Sequence, residues 1–393
     1  MPVNIPQLFQ QIQQTGSAVS SRNQTKKKQI EKVYSLYKEI AELPDLDQKL
    51  AEILAGSRQQ RCAKPGNEGL FHFFSAVPEK AESTWVLASD GSQIIPDRHE
   101  EITFGLINAA VFILKTHSQE VPQIKTETSL LDMANEDMQE EFISEEQISL
   151  QRDVIERKML TKAALTLQKN SPVIALTDGP LELFSRKEVL NSQKKLVEEY
   201  HRSLQKLADA GITAAGYIDR PRANLVIRMI ELLSAQDDSE NSLENAETSQ
   251  FPLVCDSDLF LLLLKAGQRS PVFKLHSPSN NEMPEDVRSC FFYLNTGTIH
   301  HPYLSRIEIL QKTAADPEKV NDLQWNILEQ NRILGTHPYP YVLHRAHECA
   351  VITMEEKEHV KNLLIQDMLS RGEMVSEKSN KQFAKDAGEK IFH

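Results

Sequence analysis

The chain contains no apolar run approaching the roughly 18 residues that cross a bilayer. Its N-terminus, MPVNIPQLFQQIQQ, has no basic stretch followed by an apolar segment. Neither membrane insertion nor secretion is expected, and the cytoplasm is the expected compartment. Cysteine is scarce: Cys62, Cys255, Cys290 and Cys349 lie far apart and form no CxxC pair. That spacing excludes zinc-ribbon and thioredoxin readings and predicts reduced thiols. Aromatic residues make up 6% of the chain, and those suited to base stacking, Tyr217, Phe273, Tyr339 and Tyr341, are scattered. Positive charge is also short, with 44 Lys and Arg against 56 Asp and Glu and a formal net charge of −12. A protein that coats nucleic acid over its whole surface is excluded by that balance. A nuclease is not, because acids gathered around metal ions raise the negative count. No internal repeat is present.

What is present is the makeup of a globular protein, 40% hydrophobic and 25% charged over 393 residues. That length allows two domains or one elaborated α/β domain. Apolar Ile30, Val33, Leu36, Tyr37, Ile40 and Leu43 recur at helical steps, so a helix is predicted over residues 24–55, continuing through Leu50, Ile53 and Leu54. It serves either to pack on the main domain or as an arm for a dimer or partner. From Trp85 the pattern shortens. WVLAS and FGLINAAVFILK read as neighbouring strands joined by GSQIIPDRHEE. Residues 117–150 read as an acidic surface excursion, and 151–169 as a helix. PVIALTD is a buried strand, 187–209 a charged helix, GITAAGYID a strand and RANLVIRMIELL a helix. This alternation predicts an α/β fold with some parallel pairing. Residues 234–250 form an acidic, apolar-poor insertion expected to be disordered. A strand pair, FFYLNTGT and LSRIEIL, helices over 319–333 and 341–367, and a polar tail follow.

The most informative feature is a pair of predicted Asp-Gly turns, each placed straight after an apolar strand: TWVLASDG, with Asp90, and SPVIALTDG, with Asp178. A carboxylate at the tip of a buried strand is held rigidly and aimed out of the sheet. Two such carboxylates, paired through the sheet, suit a hard divalent cation such as magnesium or manganese. The same dipeptide is the commonest tight turn, and one copy alone would mean only a bend. On the helix before the second strand, Glu156 is expected to be the third carboxylate, with Asp153 as the alternative. An aspartyl-phosphate loop is excluded, because Pro180 stands where the second acid would be. Converging carboxylates of this kind support metal-assisted hydrolysis of a phosphodiester, with two ions roughly 4 Å apart and no covalent nucleophile.

His347, in HRAHECAVI, is a candidate ligand or leaving-group acid, with a satisfied core histidine as the bland reading. His344, three residues earlier, leaves a zinc pair open, although no further ligand cluster supports it. His99 stands either beside Asp90 or in a structural ion pair. Basic residues cluster in GYIDRPRANLVIR, with Arg220, Arg222 and Arg228, and in KAGQRSPVFK, with Lys265, Arg269 and Lys274. Arg269, between Gly267 and Ser270, is the strongest phosphate-contact candidate, followed by Arg220 and Arg222.

Six blocks carry a resemblance: DGSQIIPDRHE, ALTDGPLELF, YIDRPRANLVIRMIELL, KAGQRSPVF, the RIE of LSRIEIL, and YPYVLHRAHECAVI. In this order they resemble the NurA-domain nucleases, in particular the bacterial branch. The resemblance covers about residues 80–365. It implies an RNase H-like mixed sheet core flanked by helices. It also implies manganese-dependent cleavage of DNA, both 5′-to-3′ exonucleolytic and endonucleolytic on single strands, during break repair. The implied partners are single-stranded and duplex DNA ends, a HerA-type hexameric ATPase and a second copy of the chain. Matched position by position, the catalytic and metal-holding residues are Asp90, Glu156, Asp178 and His347. The corresponding domain division is a helical region over 1–70, a nuclease domain over 80–367 with the two acidic insertions, and a tail over 368–393. The competing reading is a catalytically weak nuclease-fold scaffold that binds DNA ends or an ATPase.

Overall fold

A computed structural model describes residues 4–55, 60–76, 83–97, 99–131, 145–167, 171–183, 191–234, 249–335 and 337–374. In chain order the helices and strands are α1 (Ile5–Ala41), α2 (Leu46–Ala55), β1 (Cys62–Pro65), β2 (Phe74–Ser75), β3 (Trp85–Ile94), β4 (Leu106–Lys115), β5 (Gln123–Leu130) and α3 (Glu145–Leu167). There follow β6 (Val173–Asp178), α4 (Asn191–Asp209), β7 (Thr213–Asp219), α5 (Leu225–Ser234), α6 (Asp256–Leu263), β8 (Gln268–Arg269), β9 (Phe273–His276) and α7 (Pro278–Glu282). The last are β10 (Ser289–Asn295), β11 (Leu304–Leu310), α8 (Gln311–Ala314), α9 (Pro317–Ile333), α10 (Tyr341–Ala350) and α11 (Met354–Ser370). Among the described residues, no helix is long and apolar enough to cross a membrane.

The chain forms two compact units that cut across the linear division expected from sequence. One comprises Met1–Glu79, Gly179–Glu182 and Ala215–Pro338; the other comprises Lys80–Asp178, Leu183–Ala214 and Tyr339–His393. In the first unit, β1, β9, β10, β11 and residues 215–219 of β7 form an antiparallel sheet in that order. The apolar stripes of α1, α2, α5 and α6 close on it, around Tyr37, Phe260, Phe273, Phe291 and Tyr293. Burying each such side chain contributes on the order of 1.5–3 kcal/mol. Asp256, fully buried, accepts hydrogen bonds from the Val226 and Ile227 backbone N–H groups and from the Tyr293 hydroxyl. It thereby satisfies the first turn of α5 from a distance.

In the second unit the sheet runs β6, β3, β4, β5. β3 pairs antiparallel with β4 and β4 with β5, whereas β6 is parallel to β3 on the other side. The chain thus makes a three-strand meander, crosses over through α3 and returns beside the first strand. This mixed sheet with flanking helices is the RNase H-like arrangement expected. The periodicity of β3 decides which helix covers which face, because alternate side chains point opposite ways. Asp90 and Ser92 face α10, while Gly91 faces α3. Apolar clusters lie on both faces, one joining Ile94, Phe104 and Leu106 to Ile352, the other joining Ile107 to Ile148 and Ile155.

Several expectations are corrected. The first helix begins at Ile5, capped by the Asn4 side chain, and ends at Ala41, before α2. The stretch before residue 24 escaped periodicity because its apolar side chains, Ile5, Phe9 and Ile12 among them, stay exposed. The 117–150 excursion contains β5, an edge strand exposed along nearly its whole length. Its order comes from backbone pairing with β4, so it shows no hydrophobic alternation. The helix expected over 341–367 is two, broken after Ala350 and restarted by the Thr353–Glu356 capping box. The 234–250 insertion lies outside the described residues over 235–248, as do 132–144 of the acidic excursion and the tail beyond residue 374.

Candidate metal centre of the second unit

The first Asp-Gly is not a turn. Asp90 and Gly91 lie inside β3, which runs on to Ile94 with unbroken pairing to β4. Gly91 is also not among the glycines with positive φ. Its lack of a side chain serves another end. A Cβ placed there would stand 2.5 Å from Oε1 of Glu156 and 2.8 Å from Cγ of Arg152. The glycine is a seat in the strand for the carboxylate that α3 brings across. The second Asp-Gly does behave as expected: Asp178 ends β6, and Gly179 turns with φ +89°.

Register brings the two aspartates together. Ser89 pairs with Thr177 in the parallel β3–β6 ladder. That is the last pair of the ladder, and Asp90 and Asp178 each follow it by one residue on neighbouring strands. β6 stops there, so beyond Asp90 the strand β3 is no longer flanked by it. Groups from both faces of β3 can reach that edge.

His347 comes from α10, and its Nδ1 lies 2.6 Å from Oδ2 of Asp90. With the carboxylate as acceptor, Nδ1 is the donor, and Nε2 is the ring nitrogen left without this contact. The helix is fixed for this contact at its end. The Ala350 carbonyl accepts from Ser92 Oγ at 2.5 Å and Asn108 Nδ2 at 2.9 Å, and Ile352 N–H donates to Ser92 Oγ. Glu156 is held by Arg152, with Nε 3.1 Å from Oε1, while Arg152 Nη2 donates to Asp153 at 2.9 Å. Burial pushes the Glu156 carboxyl up to about 8, against the pull of Arg152; the negative charges of Asp153 and Asp90 raise it further. Burial also raises Asp153, again opposed by Arg152. Beneath the site, Arg157 is buried and donates to Thr177 Oγ1 and Tyr200 Oη, tying α3 to the end of β6.

Among the described residues, no three His, Cys, Asp or Glu side chains are gathered closely enough to hold one ion. Asp90 is engaged by His347, and Glu156 by Arg152. The chemistry of the candidate donors, three carboxylates at Asp90, Asp178 and Glu156 and the imidazole of His347, is that of a divalent-cation ligand set.

Other candidates fall elsewhere. His344 pairs with Glu348 at 3.4 Å rather than with His347, so no two-histidine zinc site forms. His99 is exposed in a turn beyond the end of β3, with its backbone N–H on Asp97. Arg269 is corrected outright as a phosphate contact. It is 1% exposed, forks onto both Glu68 oxygens at 2.9 Å and lies 3.9 Å over Phe74. Its flanking Gly267 and Ser270 suggested an open loop, but β8 draws it into the first unit. Tyr217 and Phe273 are core residues, not stacking platforms. Arg220 and Arg222 are exposed in the first unit, Arg220 with its Nε on the Tyr303 hydroxyl. Sequence reasoning missed Arg152 and the role of Gly91. The signal available was the i, i+4 spacing of Arg152 and Glu156.

An RNase H-like unit whose strand ends collect carboxylates defines the class. A profile of the NurA domain matches residues 86–352, which include all six sequence blocks. The chain belongs to the NurA domain family of nucleases. No curated protein matches it by sequence. Among solved structures it is similar to the NurA nuclease of Sulfolobus solfataricus, at 12% identity and a TM-score of 0.46, covering 86% of this chain and 98% of that one. It is also similar to the catalytic domain of human Endonuclease V, at 12% identity and a TM-score of 0.34, covering 82% and 99%. A third similar structure is Endonuclease V of Ciona intestinalis in complex with DNA, at 10% identity and a TM-score of 0.32, covering 81% and 100%.

Proposed function

We propose that the chain is a divalent-metal-dependent nuclease that hydrolyses DNA phosphodiesters at Asp90, Glu156, Asp178 and His347. The observation that supports this reading is the contact, within a NurA domain, of Asp90 with His347 at 2.6 Å, with Glu156 against the neighbouring Gly91. Asp90, Asp178 and Glu156 are the oxygen ligands, and manganese is the expected ion, with magnesium as the alternative. A bound ion supplies Lewis acidity toward a phosphoryl oxygen and lowers the pKa of water. Asp90 fixes the His347 tautomer by accepting its Nδ1 proton. Nε2 then serves as a ligand or takes a proton at the reacting oxygen. Exposed Arg220 and Arg222 are the phosphate contacts retained from the sequence. Processing of DNA ends in the cytoplasm, 5′-to-3′ and single-strand activities, a HerA-type partner and a homodimer complete the proposal.

The test is cleavage of 5′-labelled single- and double-stranded DNA in manganese by the wild-type protein beside Asp90→Ala. Cleavage that disappears in the variant supports the reading. Equal cleavage by both proteins refutes the site, and cleavage by the wild type that persists in chelator refutes the metal dependence.

A further inference from the structure

Arg152 lies inside the acidic cluster rather than on the helix surface. Its stem crosses the strand at Gly91, where Cγ would be 2.8 Å from an added Cβ. Its Nε faces Glu156 Oε1 at 3.1 Å and its Nη2 faces Asp153 Oδ1 at 2.9 Å. The Nε atom is buried without a well-formed hydrogen bond, so its closeness to Glu156 is not a directional bond. The side chain is only 28% exposed. One guanidinium therefore holds the carboxylate that a cation on Asp90 and Asp178 would need as its third ligand.

We propose that Arg152 is the resident counter-ion of this cluster, and that it competes with the divalent cation for Glu156. The proposal rests on the nuclease reading above. Before the ion arrives, Arg152 keeps Glu156 seated against Gly91 and offsets the repulsion among the three carboxylates. When the ion takes Glu156, the guanidinium is released while its stem stays beside Asp90. It then faces the place where substrate phosphate must come, a role suited to a planar fork of N–H donors.

The experiment is calorimetric titration of the full chain with manganese chloride and no DNA, with a melting curve for each variant. Arg152→Gln is expected to bind manganese about tenfold more tightly than wild type, the effect of removing a competitor worth about one power of ten in affinity. Arg152→Lys, which keeps the charge, is expected to stay within about twofold of wild type. The double variant Arg152→Gln/Glu156→Gln is expected to match Glu156→Gln alone, because no carboxylate remains to compete for. Unchanged or weaker manganese binding by Arg152→Gln overturns the proposal. So does an equal gain in the Glu156→Gln background, which would mean general charge repulsion. Should Arg152→Gln melt far below wild type, the Lys variant decides, since tighter binding there contradicts competition by charge. A wild-type protein that binds no manganese sinks the metal-dependent reading itself, and this proposal with it.

Discussion

Replacing Gly91 with alanine separates two explanations of the Asp-Gly dipeptide. If the glycine were a turn residue with positive φ, a side chain would strain the backbone and destabilise the fold. In the structure its φ is not positive, and the only obstacle is space. An alanine Cβ would stand 2.5 Å from Glu156 Oε1 and 3.0 Å from Glu156 Cγ, whereas ordinary contact begins at 3.4 Å. The carboxylate must therefore retreat by about 1 Å, and Arg152 with it. Both side chains are flexible, so the stability change is expected to stay within about 2 kcal/mol, the cost of mild overpacking offset by reduced freedom of the unfolded chain. A displacement of about 1 Å at a catalytic ligand costs on the order of 100-fold in rate. The assay is single-turnover cleavage of labelled single-stranded DNA in manganese, beside a thermal melt. Wild-type turnover in Gly91→Ala, or a protein that no longer folds, would refute the seat.

Three further outcomes follow from the same geometry. Asp178→Asn is expected to abolish cleavage while DNA binding, read by fluorescence anisotropy, persists; loss of binding would give the residue a different role. His347→Ala is expected to lower kcat by at least about 100-fold through lost proton transfer, and an unchanged kcat would exclude the histidine. Burial raises the Asp256 carboxyl to about 6, despite its hydrogen bonds from Tyr293, Val226 and Ile227. Between about pH 4 and 6 the native state then keeps a proton that the unfolded chain releases. Stability falls as pH rises through that window, by about 3 kcal/mol in all, and is level above it. Denaturant titrations of Asp256→Asn should show that slope removed; a slope identical to wild type would contradict the assignment.

The sequence made the strands legible where burial alternates or runs unbroken, as in β3, β4 and β6. It concealed β5, whose residues are nearly all exposed and which is ordered by backbone pairing with β4 and by the Thr128 hydroxyl on Asn108. Asp90 and His347, 257 residues apart, were both singled out from sequence because charge beside apolar strands is conspicuous, and the structure brings these two into contact. The dipeptide at Asp90 was misread locally, since a turn glycine and a close-approach glycine look identical until the neighbouring helix is known. Arg269 misled for the opposite reason. Its partner Glu68 lies 201 residues away in the chain, beyond the reach of any local pattern.

The alternation along β3 has a consequence for how this chain tolerates change. Asp90 and Gly91 address opposite helices only because they are adjacent in a strand whose count from Trp85 is fixed by pairing on both edges. Inserting or deleting a single residue between them and Trp85 would turn the acid toward α3 and the vacant seat toward α10. Apolar contacts around the strand can be rebuilt by compensating substitutions, but parity cannot be. Lineages of this chain should therefore vary the length of β3 before Asp90 in even steps or not at all.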